Sequence, residues 1–512
     1  MEEIVAVFDF GSQYAQLIAR RIRELGVYCE IVRHDTSEDE LRRLNPAAIV
    51  LSGGPSSVFE SGHPRMDRRI LKMGIPVLGI CYGMQLMARI LEGIVEKGTE
   101  GEYGPARIQV ASPVGIFEGL PSRIDVWMSH GDHVTQAPEG FEVLAGTAAC
   151  PIAAMADTAR KIYGIQFHPE VVHTPRGLDI IRNFLFHVAS CKGGWTMGRF
   201  IDESVARIRD LVGDQTVICG LSGGVDSSVA AALLHRAIGD RMKAIFVDNG
   251  LLREGEVEEI RTLFTKEYPL DVRIVDAADR FLAALKGVTD PETKRKIIGK
   301  TFIDVFADAA AEVQGATFLA QGTLYPDIIE SRSPLGGPSS TIKSHHNVGG
   351  LPDDLDFELI EPLKELFKDE VRLLGRELGL PKRLLVRQPF PGPGLGVRII
   401  GEIRTEDLAI LRGADQIVRE EIERYDTKHT IWQFFAVLLP VKSVGVMGDE
   451  RTYANVVALR AVTSQDAMTA DWARIPYDVL ARISSRIINE VAGVNRVVYD
   501  ISSKPPSTIE WE

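Results

Sequence analysis

The residue best placed for chemistry is a cysteine between two glycines, in the stretch Gly79-Ile80-Cys81-Tyr82-Gly83. An apolar run that predicts a strand precedes it, and a helical pattern follows it. Flanking glycines permit the tight strand-to-helix turn that presents a nucleophile at a helix N-terminus. That position lowers the pKa of a thiol from its usual value of about 8.5. The alternative, a buried structural cysteine, is the default for the other four, Cys29, Cys150, Cys191 and Cys219.

A nucleophilic cysteine needs a base and a group that orients the base. His168 and Glu170 lie two residues apart, and positions i and i+2 of an extended chain share a face, so Glu170 can hold the imidazole of His168. The backbone N–H groups of Gly54 and Tyr82 are the candidates for an oxyanion hole. These residues predict covalent catalysis by Cys81.

The two stretches Gly-Ile-Cys-Tyr-Gly-Met-Gln and Gln-Phe-His-Pro-Glu resemble the motifs of class I glutamine amidotransferases, and they occur in the expected order. The resemblance implies that Cys81 hydrolyses glutamine through a thioester and releases ammonia.

A second chemical motif lies between an apolar run, Thr216 to Leu221, and an Ala- and Leu-rich run, Val229 to Ile238, which predict a strand and a helix. A Ser/Gly-rich turn at that point directs several backbone N–H groups to one place in front of the helix dipole, which suits a phosphate group. The turn does not follow the Walker A pattern. The alternative is a glycine-rich turn without a ligand.

The order Ser-Gly-Gly-x-Asp-Ser in this turn resembles the pyrophosphate-binding loop of the ATP pyrophosphatases. The resemblance implies that ATP is cleaved between its α and β phosphates and that a substrate oxygen is adenylated. The residues expected to bind ATP are Ser222, Gly223, Gly224, Val225, Asp226, Ser227, Ser228 and Val247.

Two of these residues have alternative interpretations. Asp226 is a candidate ligand of Mg²⁺, which proteins hold by one or two carboxylates plus phosphate oxygens, but it could also cap the following helix. Val247 ends the next predicted strand, where it could contact adenine or serve as a core valine.

Two polar clusters are open to more than one interpretation. The cations Lys294-Arg295-Lys296 near the start of a predicted helix could be a solvated helix end or could stabilise pyrophosphate. The stretch Ser129-His130-Gly131-Asp132-His133 could hold a metal, but no third ligand lies nearby in the sequence. A polar turn beside the glutaminase cleft is the favoured interpretation.

The composition indicates an ordinary globular enzyme of several domains. At 512 residues, a typical domain size predicts roughly three domains. The net charge of −13 argues against non-specific binding of nucleic acid, which needs a basic face. The start of the chain lacks a signal-peptide pattern, and no apolar run is long enough to span a membrane. Five cysteines without a Cys-x-x-Cys pattern suggest neither disulfides nor structural zinc, so a cytoplasmic location is expected.

The order of strands and helices predicts an α/β fold in three parts. Residues 1–192 form a parallel-sheet glutaminase, and residues 198–391 form a parallel-sheet ATP pyrophosphatase domain, with a lid loop at about 331–356. Residues 392–512 form a small α+β domain, with strands expected at Val397 to Ile400 and beyond; its apolar strands favour a homodimer. The final residues, with Pro505-Pro506, are expected to be docked rather than frayed.

Three further motifs occur in the second half of the chain: Tyr-Pro-Asp-Ile-Ile-Glu-Ser from Tyr325, Lys-Ser-His-His-Asn from Lys343, and the tail that begins at Lys504. With the earlier motifs, they give a resemblance to the glutamine-hydrolysing GMP synthetases over essentially the whole chain. Ser344 stands where this family often has threonine. The resemblance implies that XMP, ATP, glutamine and water are converted to GMP, AMP, pyrophosphate and glutamate, with Mg²⁺. It assigns XMP to Asp327, Glu330, Lys343, His345, His346, Asn347, Arg496, Lys504, Ile509 and Glu510.

Three other classes of protein remain as alternatives. A synthetase that amidates a carboxylate would share the first two sites, but the lid and tail motifs argue against it. An enzyme that thiolates tRNA would need a basic face and paired cysteines in the ATP domain. Cys219 is the only cysteine beyond the linker between the first two domains. A non-catalytic binding protein would have no need of Cys81, His168 and Glu170 together.

Overall fold

The computed structural model describes residues 3–12, 14–331, 357–426, 430–447, 450–464 and 469–512, with side chains at all of these except 99, 100, 330, 331, 447 and 450. The chain divides into two compact units: residues 1–200 with 326–341, and residues 201–325 with 342–512. Across the described residues, every helix is too short or too polar to span a lipid bilayer.

The first unit contains a nine-stranded sheet in the order β2-β1-β3-β4-β9-β8-β7-β5-β6. Its strands are β1 Ile4–Asp9, β2 Tyr28–Arg33, β3 Ala48–Leu51, β4 Val77–Ile80, β5 Ile94–Val110, β6 Arg123–Gln136, β7 Glu142–Gly146, β8 Ala154–Asp157 and β9 Ile162–Ile165. Its helices are α1 Tyr14–Glu24, α2 Glu38–Leu44, α3 Tyr82–Ile90 and α4 Gly177–Asn183, and α5 Met197–Val212 follows.

Half of this sheet is parallel, as the sequence predicts, and half is not. Strands β2, β1, β3, β4 and β9 pair in parallel. The pairings of β8, β7, β5 and β6 are antiparallel, so the expectation of a purely parallel sheet is wrong for this half. The predicted polar turn at residues 129–133 is likewise wrong, because these residues lie within β6, paired with β5.

The second unit contains a five-stranded parallel sheet in the order β12-β11-β10-β13-β14, which confirms the predicted α/β domain. The strands are β10 Thr216–Leu221, β11 Met242–Asp248, β12 Val272–Asp276, β13 Ala316–Ala320 and β14 Glu358–Ile360. The helices are α6 Val225–Ile238, α7 Glu256–Thr262, α8 Ala278–Leu285, α9 Pro291–Ala311, α11 Lys368–Glu377 and α12 Lys382–Leu385. Helix α10, Tyr325–Ser331, begins at the boundary between the two units, since residues from 326 on are counted with the first.

The C-terminal part is α+β, as predicted, with strands β15 Gln433–Met447, β16 Glu450–Thr463, β17 Asp471–Trp472 and β18 Val494–Asp500 and helices α13 Thr405–Tyr425 and α14 Tyr477–Glu490. The strand expected at Val397 to Ile400 is wrong. Residues Gly394–Val397 form a 3₁₀ turn, and beyond it only Ile399 makes an isolated bridge, to Leu438. Prolines and glycines in the preceding residues favour this turn over a strand.

One apolar core runs through the second unit. It includes Ile218 and Ile245 of the parallel sheet, Phe281 of α8, and Leu411 and Ile483 of the C-terminal helices. The ATP pyrophosphatase part and the C-terminal part therefore pack as one unit. A domain boundary between residues 391 and 392 stays a prediction from composition.

Buried ion pairs attach the C-terminal segment to this unit, so the expectation of a docked tail is confirmed. The ammonium group of Lys294 is 2.5 Å from a carboxylate oxygen of Glu512, and their side chains are 0% and 5% exposed. Arg295 donates to the main-chain oxygen of Glu512, and buried Arg398 pairs with Glu510 at 2.8 Å. Two interpretations were offered for the cations at 294–296, a solvated helix end or a site that stabilises pyrophosphate. Both are wrong for Lys294, because its side chain is buried and paired with Glu512.

We expect Glu512→Gln to lower the free energy of unfolding by about 3–5 kcal/mol, because removal of one partner leaves the charge of Lys294 buried and uncompensated. Lys294→Met in the same background should restore much of this loss, since a methionine of similar volume carries no charge. Chemical denaturation of both variants measures the effect. A Glu512→Gln protein as stable as the parent would contradict the buried pair.

Candidate active sites

Cys81 occupies a strained turn between β4 and α3. Its φ is 51° and its ψ is −108°, a conformation that residues with a side chain rarely adopt. The turn is held by close contacts that leave no space for side chains. A Cβ on Gly79 would lie 2.9 Å from the carbonyl carbon of Gly83, and one on Gly83 would lie 2.5 Å from the Leu51 oxygen. Such strain persists only where the surroundings enforce it, and it is common at catalytic residues.

His168 and Glu170 form a buried pair beside this cysteine. Nδ1 of His168 is 2.7 Å from Oε1 of Glu170, and their side chains are 2% and 0% exposed. Burial lowers the pKa of His168, but the carboxylate of Glu170 and a hydrogen bond with Cys81 outweigh it and raise the pKa to about 11. Since Nδ1 faces Glu170, Nε2 is the nitrogen available to the thiol, and the imidazole is held as a cation.

The backbone around His168 fixes its position. The His168 N–H donates to the carbonyl oxygen of Trp127 at 3.0 Å, and the Thr174 hydroxyl donates to the carbonyl oxygen of His168 at 2.6 Å. The ring of Tyr14 packs on the imidazole, with 4.6 Å between centroids. Sequence reasoning missed Tyr14 and Thr174, because neither lies in a motif with His168.

The candidate oxyanion donors lie next to the thiol. Tyr82 is the first residue of α3, so its N–H has no acceptor within the helix. Gly54 follows Gly53, whose α-carbon is so close to the site that a Cβ there would lie 3.0 Å from Cε1 of His168. The absence of a side chain at Gly53 thus leaves room for the imidazole.

Two polar groups near Cys81 were not predicted. Sγ of Cys81 is 3.6 Å from the carbonyl oxygen of Ser129, and Nε2 of Gln166 is 3.6 Å from Sγ. Gln85, one turn into α3, donates to Gln166 at 3.3 Å and to the carbonyl oxygen of Asp132 at 2.7 Å. Gln166 directly precedes the Phe-His-Pro-Glu stretch, and that position was the available signal.

The predicted phosphate loop lies between β10 and α6, as expected. Gly223 has a φ of +73°, and the hydroxyl groups of Ser222 and Ser227 are 3.1 Å apart. The Gly224 N–H donates to the Ser222 hydroxyl, and Ser228 donates to the Gly224 carbonyl oxygen at 2.8 Å. The loop is therefore pre-shaped by its own serines, in front of the N-terminus of a helix of 14 residues.

Asp226, in the first turn of α6, pairs with Lys368 at the start of α11. Its other oxygen, Oδ1, is buried and has no hydrogen-bond partner within the described part of the chain. A Cβ on Gly322 would lie 3.7 Å from the Asp226 Cβ, so the residues that follow β13 pack against the first turn of α6 at Asp226. Lys368 was missed, because 142 residues separate it from Asp226.

Val247 is 4% exposed and belongs to the apolar core of the second unit, which favours the core interpretation of this residue. Across the loop, Arg387 donates to the Gly223 carbonyl oxygen at 2.8 Å and pairs with buried Glu256. This pair braces the loop from outside the motif.

The residues assigned to XMP lie in several places. Lys343, His345, His346 and Asn347, with residues 332–356 of the predicted lid, lie outside the described residues, as does the side chain of Glu330. Asp327 lies in α10, and the Arg496 Nε donates to the Ser443 hydroxyl from β18. In the tail, Lys504 pairs its backbone with Ala470, Ile509 is 9% exposed in an apolar cluster, and Glu510 pairs with Arg398.

Three parts of the chain match known families. Residues 6–188 match the glutamine amidotransferase class-I family, residues 198–297 match NAD synthase, and residues 420–511 match the GMP synthase C-terminal domain. These matches and the two α/β sheets define the class of the protein: a class I glutamine amidotransferase joined to an ATP pyrophosphatase.

Relatives specify the family further. A glutamine-hydrolysing GMP synthase of Geobacillus kaustophilus is 60% identical over 511 residues, covering 100% of both chains. One of Thermomicrobium roseum is 59% identical, covering 99% of this chain and 96% of its own. A solved glutamine amidotransferase of Thermotoga maritima has 19% identity over 37% of this chain and 99% of its own, and its TM-score of 0.32 is too low to support an inference. The chain belongs to the glutamine-hydrolysing GMP synthase family.

We expect Glu170→Gln to lower the pKa of His168 from its raised value, because the carboxylate is the largest contribution that opposes the effect of burial. In the parent, the raised pKa stabilises the fold fully below about pH 6.5, and this contribution is lost as the pH rises through about 11. In the variant, this contribution is smaller and is lost at a lower pH, because the pKa of the imidazole in the folded protein is lower. NMR titration of the histidine ring gives the pKa directly. An unchanged titration in Glu170→Gln would contradict the role of Glu170.

Proposed function

We propose that Cys81, His168 and Glu170 are the residues that hydrolyse glutamine in this GMP synthase. The observation that carries the proposal is the arrangement of a strained Cys81 at a helix N-terminus, beside a buried imidazole that Glu170 holds at 2.7 Å. Because His168 is held as a cation, its Nε2 carries the proton of the Cys81 thiol, and the sulfur attacks the side-chain amide carbon of glutamine as a thiolate. The imidazolium then returns the proton to the departing ammonia.

The oxyanion formed in this attack would accept hydrogen bonds from the backbone N–H groups of Gly54 and Tyr82. The strained turn at Cys81 supports this assignment. In such a turn, the backbone N–H of the residue after the nucleophile, here Tyr82, is a donor to the oxyanion. Water then hydrolyses the thioester, with His168 as base, and glutamate leaves.

The second unit would bind ATP with Ser222 to Ser228, whose backbone and hydroxyl groups converge before α6. Asp226 has one buried oxygen without a partner in the described residues, and this donor fits Mg²⁺. Bound Mg²⁺ would neutralise charge on the phosphates. Lys368, beside Asp226, is placed to stabilise the departing pyrophosphate.

The substrate is XMP, whose C2 oxygen is a poor leaving group until adenylation converts it to part of AMP. Ammonia from the first unit then attacks C2 and gives GMP. The residues we assign to XMP are Asp327, Glu330, Lys343, His345, His346, Asn347, Arg496, Lys504, Ile509 and Glu510. Among the described residues, the docked tail supports this assignment, because buried Arg398 holds the carboxylate of Glu510 in place.

We also propose a cytoplasmic homodimer formed through the C-terminal part. Apolar side chains lie exposed on the outer half of the β15–β16 hairpin: Val441 is 51% exposed, Val446 75% and Tyr453 63%. Exposed apolar clusters of this kind commonly mark interfaces. The cysteines support a reducing compartment, since Cys81, Cys150, Cys191 and Cys219 are free thiols.

The decisive experiment is pyrophosphate release from Mg-ATP with ammonium as nitrogen donor, with and without XMP. Release that depends on XMP and is matched by GMP supports the synthesis. Release that depends instead on a carboxylate substrate would favour the amidating synthetase, and no release with XMP would overturn the substrate assignment.

Cys81→Ala should abolish glutamine-dependent GMP synthesis and leave ammonia-dependent synthesis within about twofold of the parent, because the nucleophile serves only the first reaction. Cys29→Ser is the matched control. The Cys29 thiol already donates to the Ala19 carbonyl oxygen at 3.3 Å, a bond that a hydroxyl can make. Loss of both activities in Cys81→Ala, with both retained in Cys29→Ser, would contradict separate sites.

Asp226→Asn should lower both activities by at least about a hundredfold, because ammonia has no adenylated target without it and a charge-stabilising group is lost. Asp240→Asn, on an exposed turn after the same helix, is the control and should keep both. Glutaminase turnover measured alone should survive in each variant. Normal ammonia-dependent synthesis by Asp226→Asn would exclude the proposed role.

A further inference from the structure

The antiparallel half of the first sheet brings together three side chains that the glutaminase chemistry does not use. Glu102 of β5 lies directly opposite His130 of β6 in the strand register, and Cys150 lies in the loop between β7 and β8. One ligand atom from each of the three lies within 4.8 Å of the other two. A carboxylate oxygen, an imidazole nitrogen and a sulfur are the three ligand types that proteins use for zinc.

The hydrogen bonding of His130 leaves its inner nitrogen as an acceptor. Nδ1 lies 3.1 Å from the carbonyl oxygen of Asp132, which can only accept, so Nδ1 carries the proton. Nε2 then presents its lone pair to the carboxylate of Glu102. A backbone carbonyl that fixes the imidazole tautomer in this way is the usual support of a metal-binding histidine.

Within the described part of the chain, the two atoms that face each other have no other hydrogen-bond partner. Oε2 of Glu102 is 3.4 Å from Nε2 of His130, and both atoms are buried without a hydrogen bond in the described residues. His130 is 7% exposed and Cys150 0%. Two acceptors directed at each other in a buried site repel unless a positive species lies between them. A separation of 3.4 Å suits two ligands of one ion with bonds of about 2.0–2.2 Å.

We propose that Glu102, His130 and Cys150 form a binding site for a divalent transition-metal ion, with Zn²⁺ as the fitting ion. Sulfur and imidazole ligands favour such ions over Mg²⁺ or Ca²⁺. On binding, the Cys150 thiol releases its proton to solvent and forms a bond to the metal. The thiolate and carboxylate then balance the charge of the ion. The side chain of Glu102 is 24% exposed and gives the ion a route from solvent.

The site is separate from the glutaminase pair, although Ser129 adjoins both. Because Cys81 and His168 could themselves bind a metal, the test uses full-length Cys81→Ala protein. Zn²⁺ is titrated against a chromophoric chelator, and Co²⁺ is added separately to look for a thiolate-to-cobalt charge-transfer band. We expect one Zn²⁺ per chain and a thiolate band in this parent.

Cys150→Ala added to the parent should abolish the cobalt band, and Glu102→Gln should weaken zinc binding at least tenfold. Cys29→Ser, which removes another buried thiol of the same unit, should change neither. Zinc should also raise the unfolding temperature of the parent but not that of the two site variants. Because Glu102 is partly exposed, Glu102→Gln tests the site even if Cys150→Ala fails to fold.

The proposal is overturned if the parent binds no zinc, if the cobalt complex lacks a thiolate band, or if Glu102→Gln binds zinc as tightly as the parent. In those cases, a proton shared between Glu102 and His130, and not a metal ion, lies between the two facing atoms. These outcomes do not depend on glutamine hydrolysis, since Cys81 is absent from every protein compared.

Discussion

The first unit depends on one close approach, that of the start of α3 to the ends of β3 and β4. Contacts between Gly79, Gly83 and the Leu51 carbonyl oxygen leave no room for a Cβ, and they hold Cys81 at a positive φ. A conformation of this kind costs about 1–3 kcal/mol and must be enforced by its surroundings. The fully buried strands β3 and β4 supply that rigidity. The position of the Cys81 thiol is thus fixed by backbone packing.

Buried ion pairs determine how distant segments pack within each of the two units. Glu170 keeps the imidazole of His168 protonated in the first unit, and acidic side chains of the tail neutralise Lys294 and Arg398 in the second. A buried ion without its partner is costly, so each pair determines which segments must meet. Arg398 also packs on the ring of Phe435, 3.9 Å from its centroid, which joins the tail contact to the C-terminal sheet.

The sequence predicts the parts of the structure that local pattern controls. Buried parallel strands such as β1 and β10 are continuous apolar runs, and the turns after them carry their glycines and serines in recognisable order. The antiparallel strand β5 contains glycines, a proline and several charges, so its pairing with β6 could not be recognised. Lys294 was misjudged because its partner is 218 residues away, and no local pattern reports such a contact. A separation of 142 residues likewise hid the contact between Lys368 and Asp226.

The separation of Lys294 from its partner also has a consequence for biosynthesis. Ribosomes add about 5–20 residues per second, so the 218 residues between Lys294 and Glu512 take roughly 10–40 s to make. During that interval, nascent α9 carries an ammonium group that cannot be buried at low cost. The core around α9 can therefore close only after the tail has emerged, and until then its apolar residues are exposed to chaperones and to neighbouring nascent chains.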